Sequence, residues 1–401
     1  MRAAELVERW QVGRADDPGS LRLAELAESF GTPYYLTVSS VLRERAEALR
    51  GALPAGVAVL YSVKANGLLG VLAELATRVD GFDVASAAEL ESALACGLSG
   101  RRLSMTGPGK RDDDLAAALG CGALVVLESL DEAERLVRLA AGRPARVSLR
   151  VNPPFELAAE ARMGGGPRRF GVDSEQAGEV LQRLAGLPLG FEGLHVYPGS
   201  NCLDADAIAR AQRATLELAV GLAPLAPGPL RSLNLGGGFG IPCFPGETPL
   251  DLPRLAAAMT DLAGAAATLL PGCALAIELG RYLVGEAVAY VARVLARKTS
   301  RGRSYLILDG GLNHHWHATG ALEGRRHLHY PIAVVGGGGR AVETVTVCGP
   351  LCAPHDVWAE GLALAEARPG DLVIVFQSGA YGAGASPGGF MQRPEAAQVL
   401  A

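Results

Sequence analysis

Lys64 stands at the end of a short apolar run, in Tyr61-Ser-Val-Lys-Ala-Asn66. A lysine carried into a protein interior sheds its hydration, which lowers its pKa and frees an amine for a Schiff base. A strand-end lysine left in water does nothing of the kind, and Lys64 alone does not separate the two. Gly236, Gly237 and Gly238, with Gly240 just after, leave backbone N–H groups unshielded by side chains. Such a turn cradles a phosphate when a helix start lies nearby, although glycine-rich turns are common. Glu278-Leu-Gly-Arg281 offers a carboxylate and a second anion turn. A carboxylate facing a pyridine nitrogen keeps it protonated and strengthens that ring as an electron sink. The plain alternative is an ion pair between Glu278 and Arg281. His195 is by default a core histidine, yet in His195-Val-Tyr-Pro-Gly-Ser200 it could stack on an aromatic cofactor while Ser200 reaches a phosphate. Cys352 alone reads as a small buried apolar residue. Tyr381, in Ser378-Gly-Ala-Tyr-Gly, reads either as core or as a phosphate donor.

The elements that must hold these residues are legible as eight short apolar runs, at 57–64, 81–86, 102–107, 123–129, 145–152, 193–198, 232–238 and 274–280. They are rich in β-branched residues, and most intervening stretches carry helical spacing, such as residues 87–97 and 131–142. Eight strands with helical crossovers in one unbroken series predict an α/β fold, a closed (β/α)8 barrel, with an open doubly wound sheet as the rival. In such a barrel the chemistry sits at the carboxyl ends of the strands. Lys64, Ser86, Asn152, His195 with its Pro-Gly-Ser, the three glycines and Glu278 all fall at those ends. After Arg281 the texture changes to strand-like runs with long connections, which predicts a second, mostly β domain of antiparallel strands. The expected boundaries are 1–30 for an N-terminal segment packing with the β domain, 31–280 for the barrel and 281–401 for the β domain.

Bulk properties exclude several classes. A net charge of −5 gives no general reason to bind nucleic acid or an anionic membrane. No apolar run reaches the roughly 18–20 residues that span a bilayer, and the N-terminus lacks a signal peptide's apolar core. Seven cysteines without paired CxxC spacing argue against a disulfide framework or structural zinc. The expectation is a cytoplasmic protein. His314-His-Trp-His317 invites a metal, but no carboxylate or cysteine sits at matching spacing, so no metal is expected. The arginine pairs 101–102, 168–169 and 325–326 read as solvated surface charge.

Taken together, the motifs resemble the fold-type III pyridoxal-phosphate decarboxylases, the group that holds the diaminopimelate, ornithine and arginine decarboxylases. The resemblance runs from Gly31-Thr-Pro-Tyr to Arg393-Pro. It rests on Tyr61-Ser-Val-Lys-Ala-Asn, Phe82-Asp-Val-Ala-Ser, Arg169-Phe-Gly, His195-Val-Tyr-Pro-Gly-Ser, Asn234-Leu-Gly-Gly-Gly-Phe-Gly, Glu278-Leu-Gly-Arg, Gly349-Pro-Leu-Cys and Ser378-Gly-Ala-Tyr, in the family's order. It implies an alanine-racemase-like barrel whose cofactor is pyridoxal 5'-phosphate, bound covalently by Lys64. His195 would stack on the pyridine ring and Glu278 would pair with its nitrogen, with Asp83 and Ser86 also at the cofactor. Ser200, Gly237, Gly238, Gly280, Arg281 and Tyr381 would hold the phosphate. Arg169, Tyr197, Cys352 and Asp356 would meet the substrate, with Cys352 entering from a second subunit of a homodimer to handle the proton after CO2 leaves.

The sequence departs from the diaminopimelate pattern. The family's Gly-Pro-x-Cys-Glu reads Gly349-Pro-Leu-Cys-Ala353, so a carboxylate for a distal ammonium is missing. An unpaired distal charge would cost roughly 1–3 kcal/mol. Arg162-Met-Gly-Gly-Gly-Pro-Arg-Arg-Phe-Gly is closer to a secondary-metabolite branch, the butirosin and vicenistatin type. Those enzymes act on an amino acid tethered to an acyl carrier protein. The resemblance therefore implies an acidic amino acid tethered by its side-chain carboxyl, with Arg168/Arg169 or Arg325/Arg326 as docking charge. The rivals are a decarboxylase of free diaminopimelate, a racemase, which would need a second acid/base across the ring from Lys64, and a binding-only homologue, which would be expected to lose Lys64 or Cys352.

Overall fold

The computed structural model describes residues 3–319 and 328–401. Its contacts divide the chain into two units. One is Leu42–Gly240 with Leu250–Leu283; the other is Met1–Val41, Ile241–Pro249 and Val284–Ala401.

The first unit is the barrel. Its strands are β1 (Val57–Ser62), β2 (Gly81–Val84), β3 (Leu103–Met105), β4 (Leu124–Leu127), β5 (Arg146–Asn152), β6 (Gly190–His195), β7 (Ser232–Gly237) and β8 (Ala274–Leu279). Each pairs in parallel with the next, and β8 returns to β1 through Leu275↔Val57 to Leu279↔Tyr61, which closes the ring. The open sheet is thereby excluded. Strands packed on both faces read as near-continuous apolar runs, and every residue from Val147 to Asn152 is 5% exposed or less. The crossover helices begin on side-chain caps. Ser86 Oγ accepts from Glu89 N, and Glu89 reaches back to Ala85 N, a capping box that starts Ala87–Ala95. The side-chain oxygens of Ser129, Asp204 and Asp251 cap three more helices. Ser86, expected at the cofactor, thus has a structural duty.

The second unit is built on an eight-stranded sheet. Val288–Ser300 pairs antiparallel with Arg303–Leu308, Leu372–Val375 and Tyr34–Thr37. Ile332–Val334, Val357–Ala365 and Ala397–Leu400 also join, three strands that the sequence did not reveal. Two expectations need correction. Val342–Cys348 pairs in parallel with Arg303–Leu308, so the domain is mixed rather than antiparallel. The boundary at 31 moves to Val41, because Tyr34–Thr37 hydrogen-bonds to Val288–Val291, and Ile241–Pro249 also falls in this unit. Leu6, Val12 and Leu23 pack with Tyr34, Val291, Ile374 and Phe376 in its core.

Arg102 is not solvated charge: its guanidinium donates to the carbonyls of Ala76, the last residue of the helix Leu69–Ala76, and of Val79 just after it. Arg325 and Arg326 lie outside the described residues. Among the described residues no helix is long and apolar enough to cross a membrane.

Candidate active site

The polar side chains of the barrel converge at the carboxyl ends of its strands. β1 runs into a tight turn, Val63–Ala65, which carries Lys64. Lys64 Nζ lies 3.6 Å from Asp83 Oδ2 on β2 and 5.7 Å from the centre of the Tyr197 ring beyond β6. Its side chain is 35% exposed.

Asp83 is buried, and Thr106 Oγ1 donates to it at 2.8 Å. Burial and the nearby charge of Glu278 push its carboxyl up to about 7, against the pull of Lys64, the Thr106 hydrogen bond and His195. Glu278 on β8 goes the other way. Burial alone would raise it, but the charge and hydrogen bond of His195, with Lys64 and Arg150, outweigh burial and hold it below the usual range. His195 Nε2 sits 3.1 Å from both Glu278 oxygens, and Asn234 Nδ2 donates to Glu278 Oε1 at 2.6 Å. Two carboxylates in one site are thus driven apart, one toward the neutral form and one toward the ion.

Sequence reasoning missed Arg150 and Glu128. Arg150 projects from β5, buried, and donates to Glu128 Oε1 at 2.8 Å. Glu128 also accepts from Gly107 N and Gly171 N, which ties the Arg169-Phe-Gly loop to the barrel. Arg150 and Arg169 both place guanidinium groups against the Phe170 ring, at 4.8 and 5.0 Å, and Arg169 is exposed. The available signal was alternation: Ser148, Arg150 and Asn152 share one face of β5.

The glycine turn is shaped by close approach. Gly236 and Gly238 have φ of +72° and +78°. A Cβ on Gly237 would overlap the Glu278 carbonyl oxygen, and one on Gly238 would overlap that of Gly199. Cys202 N donates to Gly238 O and Gly240 N to Cys202 O, which brings the segment holding Ser200 against the turn. Gly280 meets the Lys64 turn, where an added Cβ would stand 2.8 Å from Ala65 Cβ. Arg281, buried, opens the short helix Arg281–Val284.

The other unit carries Tyr381, Cys352 and Asp356. Tyr381 has φ +56°, and its ring lies edge-on to His317 at 5.7 Å. Cys352 is exposed. Asp356 is buried, and its oxygens accept from Leu312 N and Leu351 N at 2.8 Å each, so backbone groups and not open space meet the carboxylate expected at the substrate. His314 is held by Tyr290 Oη and Pro394 O. Among the described residues no group of three His, Cys, Asp or Glu side chains is placed to hold a metal.

The barrel site fits pyridoxal phosphate on its own chemistry. An amine is available for the aldehyde, and a carboxylate stays ionised for a ring nitrogen. His195 Nδ1 is buried with no hydrogen-bond partner among the described residues.

Comparison with known proteins agrees. The family model described as "Pyridoxal-dependent decarboxylase, pyridoxal binding domain" matches residues 39–285. An L-glutamyl-[BtrI acyl-carrier protein] decarboxylase of Niallia circulans is 34% identical over 389 residues, covering 94% of this chain and 90% of that protein. A diaminopimelate decarboxylase of Actinosynnema pretiosum is 35% identical, covering 93% and 86%. The solved structure of Helicobacter pylori diaminopimelate decarboxylase complexed with L-lysine superposes with a TM-score of 0.85 at 25% identity, covering 94% of each chain.

Proposed function

We propose that this chain, which belongs to the pyridoxal-dependent decarboxylases, removes the α-carboxylate of an acidic amino acid tethered through its side chain to an acyl carrier protein. The observation that carries the finer reading is Ala353, which follows Cys352 where a distal ammonium would need a carboxylate. A side chain already linked to a carrier needs no such partner. The Niallia circulans relative, whose name specifies a carrier-bound glutamyl substrate, supports the same reading.

Pyridoxal phosphate, the enzyme's cofactor, supplies the electron sink that accepts the pair left by departing CO2. The residues do the rest. Lys64 would hold the cofactor through Nζ, with Asp83 Oδ2 3.6 Å from that nitrogen. Glu278, kept ionised by His195 and Arg150, holds the ring nitrogen protonated. By the family resemblance, Ser200, Gly237, Gly238, Gly280 and Arg281 of the barrel unit retain the phosphate. Cys352 of a second copy returns a proton to the α-carbon, so the working unit is a homodimer, checked by sedimentation. Tyr197 and Arg169 face the substrate.

The second reading is decarboxylation of free diaminopimelate, favoured by relatives such as those of Deinococcus radiodurans, 32% identical, and Actinosynnema pretiosum. Mass spectrometry for loss of CO2 across free and carrier-bound acidic amino acids, with Lys64→Ala as the blank, decides. Equal rates on free diaminopimelate and any carrier-bound substrate would sink the tethered reading.

A further inference from the structure

The strand Val342–Cys348 and the strand Val357–Ala365 pair antiparallel with Cys348 opposite Val357, so residues 349–356 form a closed loop with Cys352 exposed on it. Asp356 staples that loop three ways. Its main-chain oxygen accepts from Gly349 N at 3.0 Å, its Oδ2 accepts from Leu351 N at 2.8 Å, and its own N donates to Ala353 O at 3.1 Å. The remaining oxygen, Oδ1, reaches outside the loop to Leu312 N at 2.8 Å. Thus one carboxylate fixes the residue before Cys352 to the segment after Arg303–Leu308. The two glycines that surround it are part of the same device: a Cβ at Gly311 or at Gly349 would overlap the carboxylate.

An ionised carboxylate is an acceptor on both oxygens and needs no donor of its own, which is what two facing N–H groups demand. Asparagine has the same outline but turns an NH2 toward one of them. The charge of Asp356 lies at the neck of the loop and not at its tip. That placement suits control of where Cys352 points better than contact with a ligand.

We infer that Asp356 is a positioning residue that sets the Cys352 thiol through the Leu351 amide, and that it does not bind substrate. The inference rests on the reading of Cys352 as the proton-handling group. The test uses the full-length, cofactor-loaded enzyme and two readouts. Iodoacetamide labelling of Cys352, followed by mass spectrometry, should run several-fold faster in Asp356→Asn than in the wild type. Turnover should fall about 10–100-fold with KM little changed, the scale of loss for a displaced reacting group. In a Cys352→Ser background the same substitution should add less than about 2-fold, because residues acting as a unit are not additive. Gly349→Ala, which displaces the carboxylate without removing it, should reproduce the labelling change and covers the case in which Asp356→Asn does not fold. Unchanged labelling in the variants, a raised KM, or losses that multiply in the Cys352→Ser background would each overturn the inference. If Cys352→Ser itself left turnover intact, the role of Cys352 would fail, and the labelling rates would still decide whether Asp356 holds the loop.

Discussion

His195 Nε2 lies 3.1 Å from both carboxylate oxygens of Glu278, in a pair of which each residue is 1% exposed. The contact holds Glu278 in the ionised form despite burial, and it does so from β6 across the Asn234 side chain of β7. Glu278→Gln keeps the shape and removes the charge. Decarboxylation should drop by about 100-fold or more, the scale seen when one preorganised electrostatic partner is lost. Single-turnover CO2 release at saturating cofactor measures it, and a rate within a few-fold of the wild type would refute the assignment.

Asp83 gives a pH dependence of known sign. Its carboxyl titrates near 3.8 when exposed and at about 7 in the fold. Between those values the folded chain holds the proton and the unfolded chain has lost it, so stability falls as pH rises, and the cost is complete above the folded value. Asp83→Asn removes that titration. Its stability relative to the wild type should climb between about pH 4 and about pH 8, by at most about 4 kcal/mol at 1.36 kcal/mol per unit. Urea midpoints at the two ends of the range check this; a difference flat with pH would contradict the buried, proton-retaining Asp83.

The barrel was readable in the sequence because strands such as Leu124–Leu127 are buried on both faces and stand out as apolar runs without alternation. Lys64, His195 and Glu278 were readable because each ends such a run. Arg150 was hidden because its partner, Glu128, comes from a different strand end, and no local pattern announces that pairing. In the β unit, Tyr34–Thr37 is four residues whose partners begin at Val288, too short and too distant for periodicity to place. The parallel pairing of Val342–Cys348 with Arg303–Leu308 was equally out of reach, since alternation gives a strand but not its neighbour's direction.

Arg150 and Glu128 form an ion pair whose side chains are 6% and 5% exposed. Glu128→Ala strands a buried guanidinium and two backbone N–H groups, of Gly107 and Gly171. The loss should be about 3–5 kcal/mol by chemical denaturation. Replacing both partners together, Glu128→Leu with Arg150→Met, should recover the share due to the stranded guanidinium but not that of the Gly107 and Gly171 N–H groups, and should leave activity low, since Arg150 also helps to keep Glu278 ionised. A double variant no more stable than Glu128→Ala would show that the pair stabilises by more than mutual neutralisation.

Gly238 and Gly246 separate backbone conformation from close approach. Both have positive φ, +78° and +88°, yet an added Cβ meets open space at Gly246 and overlaps the Gly199 oxygen at Gly238. The left-handed conformation alone costs an alanine about 1–2 kcal/mol, and Gly246→Ala should lose that much and bind pyridoxal phosphate normally. Gly238→Ala must in addition push the turn away from the segment that carries Ser200, through the Cys202–Gly238 hydrogen bond. Its Kd for the cofactor should rise at least about 10-fold, equivalent to 1.4 kcal/mol. Titration of the apo forms with pyridoxal phosphate, followed by fluorescence, compares them directly. Equal affinities in the two variants would mean that the turn after Leu235 does not hold the phosphate.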